Sequence, residues 1–320
     1  MKKFVRRFSK VFGALAIVIS IFLIYVQATY KQQFEVPVTG IKASKDSAVI
    51  ARGEYIVMGP GHCWNCHAPD GETSLQTGTK LGLIGGHELK LPFGELYTPN
   101  LTPDTLTGIG GFSDEMLARA IRYSVKHDNA ALIPFMSYNT MSDSDIRSVI
   151  SYLRTIKPVR NKVKENSLNI VGKMVLRFII KPVYPETTPK THLEPDTSAA
   201  YGQYLATSVG NCVGCHTNRD KNTGDFIGAK FAGGYQTNAK GGTFTTPNLT
   251  PDEKTGAIVK WKPTDFTHRF RAGAIYSETP MPWKAYQRFS DNDLKALYYF
   301  FNSLEPVQNK TVTFQTARAE

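Results

Sequence analysis

Two pentapeptides, Cys63-Trp64-Asn65-Cys66-His67 and Cys212-Val213-Gly214-Cys215-His216, hold every cysteine of this 320-residue chain. A lone C-x-x-C can be a redox dithiol or half of a zinc site. A histidine following at once, in both copies, changes the reading to covalent haem attachment. Two thiols at this spacing reach one porphyrin as thioethers, and the adjacent imidazole turns under the ring to the iron. A zinc site would need both pairs to converge from 149 residues apart, and it would leave both histidines without a role. The motifs therefore assign Cys63, Cys66, Cys212 and Cys215 to two haem c groups, with His67 and His216 as iron ligands.

The elements that position these motifs occur twice. TPNLTPD stands at 98–104 and again at 246–252, each time followed by Thr-Gly. At an offset of 148, Pro134 matches Pro282, Tyr138 matches Tyr286, Ser142-Asp143 matches Ser290-Asp291 and Pro158-Val159 matches Pro306-Val307. Gly53-x-Tyr55 and Gly202-x-Tyr204 each lie ten residues before the first cysteine. Two copies of one unit follow, at 47–160 and 198–310. The Asn-Leu-Thr triplets resemble glycosylation acceptors, but their identical proline framing points to a shared turn.

Each unit is bounded by helices. Ile146, Val149, Ile150 and Leu153 recur at helical spacing in 142–156, with Ser142 as cap and Asp145 completing a capping-box pattern. Residues 290–304 repeat this with Ser290 and Asp293. Gly53 and Gly202, inside the opening helices, predict a close crossing by the closing helix, with Tyr152 or Phe300 against the glycine. No strand pattern competes, so the segments between the cysteines and TPNLTPD read as loops.

Helix, C-x-x-C-H, loops, a methionine-bearing loop and a final helix resemble a class I cytochrome c domain. The PNLTPD…TG element, the M-P-W-x-x-Y-x-x-F-S-D-x-D run and the tandem arrangement are similar to cytochrome c subunits of membrane-bound alcohol, aldehyde and gluconate dehydrogenases. Related membrane-anchored dihaem cytochromes share these features. Those dehydrogenase subunits typically carry three haems, and this chain has two motifs. The resemblance implies an all-α fold of two tandem class I cytochrome c domains behind an N-terminal transmembrane helix.

It also implies a methionine as sixth iron ligand in the loop before each final helix. Met281, in Thr279-Pro280-Met281-Pro282-Trp283, fills that place in the second unit. In the first unit the aligned residue is Ile133, which cannot bind iron. Met136, two residues after Pro134, is favoured there, since that loop is one residue longer if Arg122 and Arg271 correspond. Met141 aligns with Phe289 and reads as packing. Met141, His87, His127 or an open iron remain alternatives. Asn100, Asn248, Arg122 and Arg271 are candidates for haem propionate contacts, although surface ion pairs would explain the arginines as well. His62, His192 and His268 read as surface histidines.

Outside the units, Val11 to Val26 is an apolar run behind a basic start. It predicts an anchor over 1–30, with the rest of the chain across the membrane; a cleaved signal peptide ending near Ala28 is the alternative. Five of the eleven net positive charges lie in the first ten residues, leaving +6 for the remainder. That excludes a nucleic-acid groove and leaves room for an acidic protein partner. Between the units, 161–197 combines a short amphipathic helix with a proline-rich linker. The helix is expected to dock across the two units, with membrane-surface contact as the alternative.

The functional expectation is an electron carrier on the periplasmic side of a bacterial inner membrane. It would pass electrons between a dehydrogenase or quinol-oxidising complex and a terminal acceptor such as an oxidase. The alternative is a dihaem enzyme of peroxidase or thiosulfate oxidoreductase type, which needs an open or displaceable ligand at the first haem.

Overall fold

The computed structural model describes residues 2–69, 82–220, 223–239, 242–276 and 279–316. The chain opens with α1 (Lys2–Thr29), whose large apolar side chains from Phe4 to Tyr25 all face outward. Among the described residues it is the one helix long and apolar enough to cross a membrane. At 1.5 Å per residue its 28 residues extend about 42 Å, more than the ~30 Å hydrocarbon layer. Residues 30–43 then run extended along the first half, where Glu115 accepts from the Thr39 and Gly40 N–H groups.

The first half contains α2 (Ser47–Met58), α3 (Trp64–His67), the hairpin β1 (Glu88–Leu91) and β2 (Gly94–Tyr97), α4 (Asp114–Tyr123), α5 (Asp143–Thr155) and β3 (Ser167–Leu168). A connection follows with α6 (Ile170–Met174), running on as a π turn over Val175–Ile179. The second half repeats the order. It has α7 (Ala199–Tyr204) with a π turn to Val209, α8 (Cys212–His216), β4 (Gln236–Ala239), β5 (Gly242–Thr245), α9 (Pro263–Ala272), α10 (Trp283–Tyr286), α11 (Asp291–Asn302) and β6 (Phe314–Thr316).

The expected all-α fold is therefore corrected. Each half carries a small antiparallel sheet, in the order β1-β2-β3 and β4-β5-β6. The hairpins occupy stretches that read as loops, because four-residue strands are too short to establish a period. The third strand of each sheet arrives from beyond the final helix, where no local pattern announces it. Its approach needs Gly94 and Gly242. A Cβ on either would lie 2.3 Å from Ser167 O or 2.1 Å from Gln315 O. The loop expectation for residues 70–81 lies outside the described residues.

The crossing at the two helical glycines is as predicted. A Cβ on Gly53 would lie 1.9 Å from Ser148 O and 2.8 Å from the Tyr152 Cβ; on Gly202, 2.0 Å from Ala296 O and 2.8 Å from the Phe300 Cβ. Only hydrogen fits there, so α2 lies directly on α5 and α7 directly on α11. Ile56, Val57, Ile146 and Ile150 fill the first crossing, and Leu205, Leu294, Leu297 and Phe301 the second. These residues belong to one continuous buried cluster spanning both halves.

The connection departs from expectation. Its amphipathic stretch packs on the end of α1 and on the β1–β2 turn. Asn169 accepts from Gly172 N–H and donates to Pro92 O, and Phe178 stacks on Phe22. Docking across the two halves is thus not what the structure shows. The proline-rich part is tied down as well, with Lys190 O accepting from Asp143 N–H at the start of α5.

Candidate functional site

Each C-x-x-C-H turn follows a left-handed residue, His62 (φ 36°) or Asn211 (φ 49°). In the first half Cys63 N–H donates to Val57 O and the Trp64 indole to Met58 O, so the turn is fastened to the end of α2. Cys63 and Cys212 pack against the core, while Cys66 and Cys215 are exposed. Burial pushes the Cys63 and Cys212 thiols up to about 12. Among the described residues no three His, Cys, Asp or Glu side chains gather as a metal site.

The histidines carry the most specific geometry. His67 Nδ1 lies 3.0 Å from Pro99 O, and His216 Nδ1 lies 3.1 Å from Pro247 O. A carbonyl oxygen only accepts, so each Nδ1 carries the proton and each Nε2 keeps a lone pair. Both rings are buried, which lowers their pKa and holds them neutral. A neutral imidazole with Nδ1–H on a carbonyl and Nε2 free is the form that ligates a metal. The residues therefore fit a haem iron, with the two cysteines of each turn alongside.

Pro99 and Pro247 belong to the repeated TPNLTPD, and its other residues have structural tasks. Asn100, 2% exposed, donates from its amide to Val159 O at 2.9 Å and to Thr107 Oγ1. Asn248, 0% exposed, does the same with Val307 O at 2.7 Å and Thr255 Oγ1. Both amides hold the chain leaving the final helix, so their donors are committed there rather than to propionates. Their burial also removes both triplets as glycosylation acceptors.

The two arginines correspond, as the loop alignment supposed, and each binds two backbone carbonyls and one aspartate. Arg122, buried, donates to Asn139 O and Met141 O and pairs with Asp143 at 2.6 Å. Arg271 makes the matching set with Gln287 O, Phe289 O and Asp291. Each clamps the methionine-bearing loop onto the start of the final helix. Tyr138 and Tyr286 fasten the same loops from the other side, their hydroxyls donating to Gly61 O and Gly210 O beside the cysteine turns. These tyrosines went unassigned in the sequence, although their match at the repeat offset was visible.

Met281 is partly buried against the core within its Pro-Met-Pro segment. Met136 is half-buried in the corresponding loop. Met141 is 2% exposed within the core, and its counterpart Phe289 is 1% exposed. Packing thus accounts for Met141. His127 is exposed and stacks on Phe112, while His87 binds Thr98 Oγ1 through its backbone N–H. His192 and His268 are exposed. His62 is not a surface residue as expected. Its ring lies at the junction of the halves, 6.4 Å from that of Tyr138 and 5.7 Å from that of Tyr286.

A family described as cytochrome c matches residues 50–157. The chain is 28% identical over 283 residues to the cytochrome c subunit of a quinone alcohol dehydrogenase from Gluconacetobacter polyoxogenes, covering 82% of this chain and 57% of that protein. It is 27% identical over 279 residues to a gluconate 2-dehydrogenase cytochrome c subunit from Pantoea cypripedii, covering 81% and 60%. A diheme cytochrome c-type protein of Cereibacter sphaeroides is 28% identical over 232 residues, covering 68% and 73%. The chain spans a little over half the length of the two dehydrogenase subunits.

Proposed function

Starting from a cytochrome c domain at residues 50–157, we propose that the chain is a dihaem electron carrier whose second half, 198–310, is a second such domain. The observation that carries this reading is the repeated histidine–carbonyl pair, His67 on Pro99 and His216 on Pro247. The second half reproduces the first at its cysteine turn, its histidine, its TPNLTPD segment and its arginine clamp.

Cys63 and Cys66 would hold one haem c, and Cys212 and Cys215 the other. Each haem supplies a one-electron Fe(III)/Fe(II) couple. The protein's part would be to fix the tautomer of His67 and His216, to offer a thioether as a further iron ligand and to exclude water. Met281 and Met136 are the thioether donors, and methionine ligation raises the potential. Asn100, Asn248, Arg122 and Arg271 act by holding the loops. The chain is then a carrier within an oxidoreductase system, a reading supported by relatives named as cytochrome c subunits of dehydrogenases.

The donors proposed are a membrane-bound dehydrogenase or a quinol-oxidising complex, and the acceptor a terminal oxidase. The relatives' names support the first of these. With α1 as a single-pass anchor, the basic residues at its start support a position for both haems on the periplasmic face of the inner membrane. Rapid mixing of the purified protein with a reductant and then an oxidant tests the carrier reading. Both haems should cycle fully without binding carbon monoxide. Peroxide turnover at the first haem would favour the enzyme alternative.

A further inference from the structure

The connection between the halves forms a bracket. On one side it is fixed to the first half: Asn169 N–H donates to Phe93 O, and a Cβ on Gly172 would lie 2.4 Å from that same oxygen. On the other side it grips the last turns of α1. The Phe178 ring stacks on Phe22 with centroids 6.1 Å apart and planes 6° from parallel. Lys173 Nζ donates to Gln27 Oε1 at 2.7 Å, and Arg177 donates to Tyr25 Oη at 2.5 Å and Thr29 Oγ1 at 3.1 Å.

This places the bracket beside α1 at the level where an anchor leaves the bilayer. Its outer side is apolar: Val171, Phe178 and Ile179 are 49%, 49% and 69% exposed. That surface continues the exposed apolar surface of α1, which reaches Tyr25. Between Glu165 and Glu186 the sequence has no acidic residue and three cations, Lys173, Arg177 and Lys181. An apolar side flanked by cations is the chemistry of a segment lying in the headgroup boundary of an anionic bilayer.

We propose that residues 170–181 are a second membrane contact, an interfacial foot seated in an anionic lipid surface beside α1. Because the foot is fastened to both α1 and the β1–β2 turn, it sets the angle of the first half to the membrane. The inference rests on the reading of α1 as a membrane anchor.

The test uses the full chain in vesicles containing phosphatidylglycerol, with single variants Ile179→Cys and Val171→Cys and, as reference, Thr188→Cys at an exposed linker position. A charged, membrane-impermeant maleimide should label positions 179 and 171 at least ten-fold more slowly than 188. An uncharged, lipid-soluble maleimide should label all three. Since Ile179 is largely uncovered by protein, protection from the charged reagent alone reports lipid. Equal labelling of 179, 171 and 188 by the charged reagent overturns the foot. Failure of the unmodified chain to float with the vesicles would instead overturn the anchor.

Discussion

The Tyr204 hydroxyl closes a helix cap in the other half of the chain: it accepts from Ser142 N–H at 3.0 Å and donates to Asp145 Oδ2 at 2.7 Å. The capping-box pattern predicted that Asp145 would itself return to the cap. Instead Asp145 forms a two-pronged pair with Arg52, 2.9 Å to each oxygen, and the tyrosine bridges the gap. The mirror arrangement joins Tyr55 of the first half to Ser290 and Asp293 of the second. The two halves are thus locked by exchanged tyrosines.

Replacing Tyr204 by Phe strips a partner from a buried N–H and a buried carboxylate. The expected cost is about 1–3 kcal/mol. Denaturant unfolding of the intact chain measures it. Tyr55→Phe should cost a similar amount, and the double variant should depart from the sum, because Arg52 lies between the two sites, paired with Asp145 and acting on Asp293. A change within experimental error for both would mean the exchange is incidental.

Burial holds the Asp293 carboxyl above its ordinary value of 3.8, despite Tyr55 and Arg52 nearby. A carboxyl raised in the folded state favours the protonated form. Its contribution to stability is complete below about 3.8 and is lost as pH rises through the folded value. The stability of the unmodified protein relative to Asp293→Asn should therefore fall as pH rises from about 4, then level off. A difference that grows with pH would contradict the assignment.

Much of this organisation was legible in the sequence. The two C-x-x-C-H segments form matching turns, the two TPNLTPD segments make matching contacts, and the glycines at 53 and 202 lie at the helix crossings, as their offsets indicated. Contacts set by the tertiary fold were not. Arg122 and Asn100 bind backbone carbonyls of Asn139, Met141 and Val159, which no spacing rule identifies. The strands were hidden by their shortness, and the docking of Phe178 on Phe22 joins residues 156 apart.

Gly53→Ala tests the crossing. A Cβ at 1.9 Å from Ser148 O forces α2 and α5 apart. A loss of more than about 2 kcal/mol is expected, well beyond an ordinary surface change. Thermal unfolding reads it, with Gly111→Ala, whose nearest new contact is 3.4 Å, as the tolerated control.

The two methionines that precede the final helix of the first half, Met136 and Met141, should separate cleanly. Met141→Ala removes a fully buried side chain and should cost about 2–5 kcal/mol while leaving the haem low-spin. Met136→Ala should cost less stability, turn one haem high-spin and lower its potential. If Met141→Ala opens the iron instead, the ligand assignment is reversed.

Covalent attachment of two haems is the centre of the account, and intact-mass spectrometry of the purified protein, paired with Cys212→Ala/Cys215→Ala, addresses it directly. The unmodified chain should carry the added mass of two haems after denaturation. The double variant should carry one and keep the spectrum of the first site. A single haem on the unmodified chain, or two still bound by the variant, would contradict it.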